Sequence, residues 1–184
     1  MSHSNTQPSS FLVKNLPLLE SLQIQCGVLD LACGHGRNGL FLLTHNVPVI
    51  FADNNETKLQ SILPTLDSVA AGAISSECWL VDFELEDNNP LADKSFDAIL
   101  VFNYLHRPLF ASIKEAIRPG GLIVYETFTV EQRQFGRPSN PDFLLSPGEL
   151  IQEFSDWEMV ESFEGVVPGP DRAVARLIAR KPIL

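Results

Sequence analysis

Four polar side chains stand in the five residues Asn103-Tyr104-Leu105-His106-Arg107, which follow an apolar run and precede Pro108. A run of that kind reads as a buried strand, and in open parallel sheets the carboxyl ends of strands are where ligands bind. A histidine and a phenol there could orient an acceptor or take its proton, and Arg107 adds positive charge. Two acids, Asp30 and Asp53, each close a further apolar run. The first leads into the glycine-rich stretch Ala32-Cys33-Gly34-His35-Gly36-Arg37-Asn38-Gly39, and the pattern reads as strand, tight turn and helix. Gly34 and Gly36 lack a Cβ, so a ligand is expected to lie against bare amides at the helix start. Asp53 follows roughly 20 residues after this turn, the spacing at which a doubly wound fold offers a carboxylate to ribose hydroxyls. A nucleotide-like cofactor is the guest these residues imply.

The elements that must position them follow in order. A polar tail at 1–10 is expected to be disordered, and residues 11–184 form a single domain. A helix over 11–24 packs beside the first strand. The helix after the glycine turn spans 37–45, and a second strand, 47–52, ends at Asp53, where Asn54 or Asn55 caps a helix running toward Pro64. Small residues at 70–76 link to a third strand, 78–82, and acidic residues at 84–89 read as a loop or short helix. Strand four is 95–102, and Pro108 begins a helix through 117. The turn Arg118-Pro119-Gly120-Gly121 enters strand five, 122–128. Residues 129–145 show no period, hold Arg133, Phe135, Arg137, Pro138 and Pro141, and are read as part of the substrate mouth. Ser146-Pro147-Gly148-Glu149 is a capping box with proline at the first helical position, opening a helix to 154. Residues 157–167 and 173–180 alternate around Pro168-Gly169-Pro170-Asp171 and read as an antiparallel hairpin.

The run Asp30-Leu31-Ala32-Cys33-Gly34-His35-Gly36 resembles motif I of the class I S-adenosylmethionine (SAM) dependent methyltransferases. Within them, Arg37-Asn38 and the helix resemble the small tellurite-resistance-type enzymes, and the likeness covers nearly the whole chain. Ala32 stands where the family's usual first glycine is, and alanine is expected to keep the turn at negative φ. Asp82-Phe83 looks like the family's adenine contact, and Arg118 to Gly121 like the turn before its fifth strand. The resemblance implies an α/β fold: a Rossmann-like seven-stranded sheet, mostly parallel with a C-terminal antiparallel hairpin, and helices on both faces. It implies SAM as cofactor, held by Asp30, Ala32, Cys33, Gly34, Gly36, Asn38, Asp53, Asn54, Asp82, Phe83 and Asn103. Gly34, Gly36 and Gly39 also satisfy G-x-G-x-x-G, so an NAD-dependent oxidoreductase is a rival. Asp30 argues against it, because a dinucleotide would bring its pyrophosphate close to that carboxylate, whereas a cofactor with a cationic end would favour it. A non-catalytic SAM-binding protein of the same fold is the other rival.

An activated methyl group needs a well-placed nucleophile and the exclusion of water, with a base only where the acceptor is an alcohol or a protonated amine. His106, Tyr104 and Arg107 are the candidate catalytic residues; Glu126, Arg133 and Phe135 are the candidate acceptor contacts. Arg107, Arg133 and Arg137 would suit a small anionic acceptor. The formal net charge of −10 argues against a nucleic-acid substrate, because a phosphate backbone would be repelled. With 45% hydrophobic and 20% charged residues the chain reads as soluble and globular, and no stretch approaches the ~20 apolar residues of a membrane span. Cys26, Cys33 and Cys78 show neither metal nor disulfide spacing and suit a reducing cytoplasm; no metal is expected.

Overall fold

The computed structural model describes residues 6–68, 75–85 and 89–183. Two short helices, α1 (Ser10–Lys14) and α2 (Leu16–Glu20), precede the first strand, β1 (Val28–Leu31). The helix expected over 11–24 is divided at Asn15, with Pro17 in the first turn of α2, where a missing N–H costs no helical hydrogen bond. The chain continues as α3 (Arg37–Leu43), β2 (Val49–Asp53), α4 (Glu56–Gln60), α5 (Leu63–Ser68) and β3 (Glu77–Leu80). Then come β4 (Phe96–Phe102), α6 (Leu109–Ala116), β5 (Ile117–Phe128), α7 (Glu149–Glu153), β6 (Glu158–Val167) and β7 (Arg172–Arg180). The small-residue linker expected at 70–76 and the acidic stretch at 84–89 lie partly outside the described residues, as do residues 1–5 of the expected tail.

The seven strands form one sheet in the order β3-β2-β1-β4-β5-β7-β6. Pairing is parallel from β3 across to β5 and antiparallel for β5 with β7 and β7 with β6. Strands β1, β2 and β4 are buried along their whole length, which is why they read as unbroken apolar runs rather than alternating ones. One face of the sheet packs Leu29, Leu31, Ile99 and Val101 against Phe110, Ile113, Phe154 and Trp157 of the α6 and α7 side. On the other, Val28, Phe51, Leu100 and Val124 meet Phe11, Leu12, Leu19, Leu42 and Leu59 from α1 to α4. Successive strands run outward from β1 in one direction and from β4 in the other, so the order reverses between them. A crevice opens at that switch point, beyond the carboxyl ends of β1 and β4.

Asp97, the second residue of β4, is fully buried and ties down the opposite end of the sheet. Its Oδ2 accepts the N–H groups of Gln25, Cys26 and Gly27 at 2.7 to 2.9 Å, and Oδ1 lies 2.5 Å from Arg118 Nε. Arg118 also donates to the Gln23 carbonyl. The stretch Arg118 to Gly121 therefore does more than turn: it lies within β5, and its arginine locks the entry to β1.

The described end of the stretch 1–10 is anchored to the domain. Ser9 is buried, and its side chain accepts the Phe11 N–H to cap α1, while its own N–H donates to Asn38 Oδ1 at 2.9 Å. Its hydroxyl faces the carboxylate of Glu126, so three partners fix the chain at that point. Among the described residues, no helix is long and apolar enough to cross a membrane.

Candidate active site

The turn after β1 carries the first half of the site. Asp30, buried at the end of that strand, accepts the Gly39 N–H at 2.9 Å and so takes one of the unpaired amides of the first turn of α3. That amide is committed to a side chain rather than open to a ligand. Burial pushes the Asp30 carboxyl up from 3.8 to about 7, against the lowering effect of the Gly39 N–H and of the Arg37 guanidinium. Ala32 has φ +53°, in the left-handed region, so the turn is made with alanine in a conformation that glycine adopts freely. The expectation of negative φ is corrected: the chain must turn here, and the surrounding packing holds the strain. Gly34, at φ +60°, has no atom near the position of its absent Cβ, and its outer side is open. Gly36 is different: a Cβ there would come within 2.8 Å of Ile62 Cδ1, so this glycine serves the packing of α3 on Ile62 and Phe51 rather than the approach of a ligand.

Asp53 ends β2 and braces the same turn. Its Oδ2 accepts the Gly34 N–H at 2.8 Å and its Oδ1 the Asn55 N–H at 2.9 Å, with Lys58 Nζ at 3.9 Å. Asn55 supplies the cap of α4 by accepting the Lys58 N–H, which leaves Asn54 exposed beside the crevice. After β3, Asp82 accepts the Glu84 N–H at 2.9 Å, and Phe83 is buried edge-on against Trp79.

Three adjoining cavities occupy the crevice. The largest, about 540 Å³, is bounded by Asp30, Ala32, Cys33, Gly34, Arg37 and Asn38 together with Thr6, Phe102 and Asn103. Arg37, half-buried, donates to the Gln7 carbonyl at 2.9 Å and faces Glu126 and Asp30. A second cavity of about 240 Å³ shares Ala32, Gly34 and Asn103 with the first and is closed by Asp53, Asn54, Lys58, Asp82, Phe83 and Glu84. The third, about 380 Å³, opens beyond Tyr104 and is walled by Leu105, Phe128, Pro138 and Phe143, with Glu84 and Asn103 shared with the second. Asn103 borders all three. Its backbone turns at φ +55° while its N–H donates to the Glu126 carbonyl at 2.8 Å, which fixes the end of β4 against β5.

Ten of the eleven positions expected around a cofactor thus line one crevice, and the eleventh, Gly36, lies behind it. The expected acceptor side is rearranged. Tyr104 is half-buried at the join of the second and third cavities, and burial with the nearby carboxylate of Glu84 raises its phenol well above the usual range. His106 borders none of these cavities; its carbonyl accepts the Leu109 N–H at the start of α6, and its ring has no hydrogen-bond partner among the described residues. Arg107 borders none of these cavities either. Its guanidinium grips both oxygens of Glu149 at 2.6 and 2.9 Å and the carbonyls of Asp142 and Leu144, so it ties the 129–145 loop to α7. Glu149 returns to the Ser146 N–H at 2.8 Å, as a capping box requires, although the helix starts after Gly148 rather than at Pro147.

Glu126 is fully buried and committed: Arg176 Nε lies 2.6 Å away, Arg172 at 3.9 Å, and the Ser9 hydroxyl beside it. It holds the N-terminal segment and the hairpin to β5 and borders none of the three cavities. Arg133 and Phe135 are exposed on a short 3-10 turn, Val130–Gln134 and its cap, and the loop instead reaches the third cavity through Pro138 and Phe143. Those two residues had no sequence signal beyond their place in an aperiodic loop. Arg37 and Glu84 were legible as charged neighbours of the motifs.

A family model described as tellurite resistance protein TehB matches residues 18–168. The probable S-adenosyl-L-methionine-dependent methyltransferase TehB of Haemophilus influenzae is 28% identical over 150 residues, covering 77% of this chain and 49% of that protein. The chain spans about half the length of the curated relatives it matches. Among solved structures, TehB from Haemophilus influenzae superposes with a TM-score of 0.72 at 24% identity, covering 94% of this chain and 62% of the other. The N-methyltransferase NodS from Bradyrhizobium japonicum WM9 superposes at 0.67 with 15% identity and 94% of both chains covered, a likeness of fold. With its glycine turn, its switch-point crevice and its 3-2-1-4-5-7-6 sheet, the chain belongs to the TehB family of SAM-dependent methyltransferases.

Proposed function

We propose that this chain transfers a methyl group from SAM to a small acceptor. The observation that carries the reading is the continuity of the crevice: Ala32, Gly34 and Asn103 join the first two cavities, and Asn103, Tyr104 and Glu84 join the second to the third. The lining suits the cofactor end by end. Asp30 and Arg37, of opposite charge, suit the ammonium and carboxylate of an amino acid. Asp53 and Asn54 suit ribose hydroxyls, since each carboxylate oxygen keeps a free lone pair after its backbone bond. Asp82 and Phe83 suit an adenine, as acceptor and apolar face. When bound, SAM supplies a methyl on a sulfonium, which passes to an acceptor lone pair while the carbon–sulfur bond breaks with its electrons returning to sulfur.

The chain's own part is to hold the acceptor at the Asn103–Tyr104 end of the crevice and to exclude water there. Tyr104 stays a protonated phenol and acts as a hydrogen-bond donor, not a base. The case for an anionic acceptor now stands on Arg133 and Arg137 alone, both exposed on the loop, since Arg107 is committed to Glu149. Three free cysteines suit a cytoplasmic setting. Calorimetric titration with SAM, its demethylated product and NAD tests the reading. SAM and its product should bind with similar affinity and NAD should not; tight NAD binding with no heat from SAM would overturn it.

A further inference from the structure

We infer that the third cavity selects a small amine with an apolar body as the methyl acceptor, a deepening that rests on the methyltransferase reading above. The wall is apolar on the side away from the cofactor crevice, where Leu105, Phe128, Pro138 and Phe143 meet, and Phe143 stands half exposed at the rim. About 380 Å³ is near the small end of ligand pockets and suits a body of one ring or a short chain. Glu84 is the one formally charged residue bordering this cavity among the described residues. An oxyanion seated there would face a carboxylate and phenyl rings and would leave its water shell with no cationic side chain of the wall in return. An ammonium would face a carboxylate, a phenol and aromatic rings, all of which attract it. The arginines of the region do not reverse this sign, because Arg107 is bound to Glu149 and neither Arg133 nor Arg137 borders the cavity.

Glu84, Asn103 and Tyr104 border both this cavity and the one closed by Asp53 and Asp82. A nitrogen drawn to Glu84 therefore sits at the boundary between acceptor and cofactor, with the apolar body pointing outward over Phe143. An ammonium has no free lone pair. Its proton passes to a carboxylate oxygen of Glu84, the freed pair forms the new N–C bond as the methyl–sulfur bond breaks with its electrons returning to sulfur, and Glu84, exposed to solvent, returns the proton to water.

The test is calorimetry on the full chain saturated with the demethylated product, so that no turnover occurs. The probes are 2-phenylethylamine, 3-phenylpropanoate and selenite. The amine should bind about tenfold or more tighter than the carboxylate, and Glu84→Gln should lower amine affinity by about tenfold while improving that of the carboxylate. Phe143→Ala should weaken the amine and leave the affinity for the demethylated product unchanged. Equal or tighter binding of either anion, an amine affinity indifferent to Glu84→Gln, or no amine binding at all would overturn the inference. Failure of the demethylated product itself to bind would instead overturn the methyltransferase reading, and the amine preference is then read on the protein alone.

Discussion

The Asp53 carboxylate at the end of β2 accepts the Gly34 N–H at 2.8 Å, so the acid of the second strand holds the turn of the first. Its other oxygen holds the Asn55 N–H. Charge-assisted bonds of this kind contribute roughly 1.5 to 3 kcal/mol each, and the two donors are left to water when the acid is removed. Asp53→Ala should therefore cost about 2–4 kcal/mol of stability in urea denaturation and weaken SAM and its demethylated product together. Asp53→Asn, with one acceptor oxygen, should fall between. Lost binding with unchanged stability would mean that Asp53 meets ligand but does not hold the turn.

Asp30 should make stability depend on pH in a direction opposite to that of an ordinary paired acid. Its folded-state value of about 7 lies above the ordinary 3.8, so the folded protein binds this proton more tightly than the unfolded chain does. The associated stability is fully present below 3.8 and is lost as pH rises toward 7; at 1.36 kcal/mol per pH unit this is at most about 4 kcal/mol. Asp30→Asn should flatten that slope and raise stability above pH 7, while weakening SAM and sparing adenosine. Denaturation curves from pH 4 to 8 measure the first effect. A variant that is less stable than the parent at pH 8 and binds SAM as before would refute the assignment.

Arg107 should prove a fastener of the mouth. The guanidinium spans Glu149, Asp142 and Leu144, and Arg107 holds the Glu149 carboxyl below its usual range. A depressed carboxyl contributes its stability above the ordinary 4.5, and that contribution is lost as pH falls below it. Both side chains are partly exposed, so Arg107→Ala should cost only about 1 kcal/mol, with the difference from the parent disappearing in acid. Amide exchange over residues 136–145 should speed up, and KM for the acceptor should rise more than kcat falls. A large loss of kcat with unchanged loop exchange would return Arg107 to the chemistry.

What could be read along the chain was what neighbours in sequence determine. The β1–turn–α3 unit, the acid after β2, the Asn55 cap and the terminal hairpin are local patterns, and together they mark out the crevice. The acceptor side depends on distant pairings instead. Glu126 faces Arg176 across the β5–β7 register, 50 residues away, and nothing near Glu126 announces that its charge is already met. Arg107 meets Glu149 across 42 residues in the same way. In the aperiodic loop no repeat distinguishes Pro138 and Phe143, which border the third cavity, from Arg133 and Phe135, which do not. The hand of the backbone at Ala32 was likewise illegible, because alanine is rarely found at positive φ.

That hand gives a stability prediction with little effect on contacts. A left-handed conformation costs an L-residue about 1–2 kcal/mol, and the greater freedom of glycine in the unfolded chain offsets part of the relief. Ala32→Gly should therefore stabilise the protein by about 0.5–1 kcal/mol, read as a higher urea midpoint at unchanged slope. Destabilisation would mean that the methyl of Ala32, which packs on the core cluster, contributes more than the backbone strain removes.

Tyr104 and His106 separate the two sides of the connection after β4. Tyr104 borders the second and third cavities, while His106 borders neither. Removal of the phenol hydroxyl in Tyr104→Phe should lower kcat/KM for the acceptor by about tenfold, since a hydrogen bond at the boundary between acceptor and cofactor is lost. Its phenol is held well above the usual range by burial and by Glu84, so the parent's rate should show no limb from Tyr104 ionisation at neutral or mildly alkaline pH. His106→Ala should leave SAM affinity unaltered and acceptor turnover within about threefold, because its ring has no hydrogen-bond partner among the described residues and His106 borders none of the three cavities. Rate–pH profiles of the two variants against the parent decide the matter. If His106→Ala instead lowers turnover by about a hundredfold or more at unaltered SAM affinity, the histidine takes part in the chemistry, and the connection must bring its ring into the crevice when substrates bind.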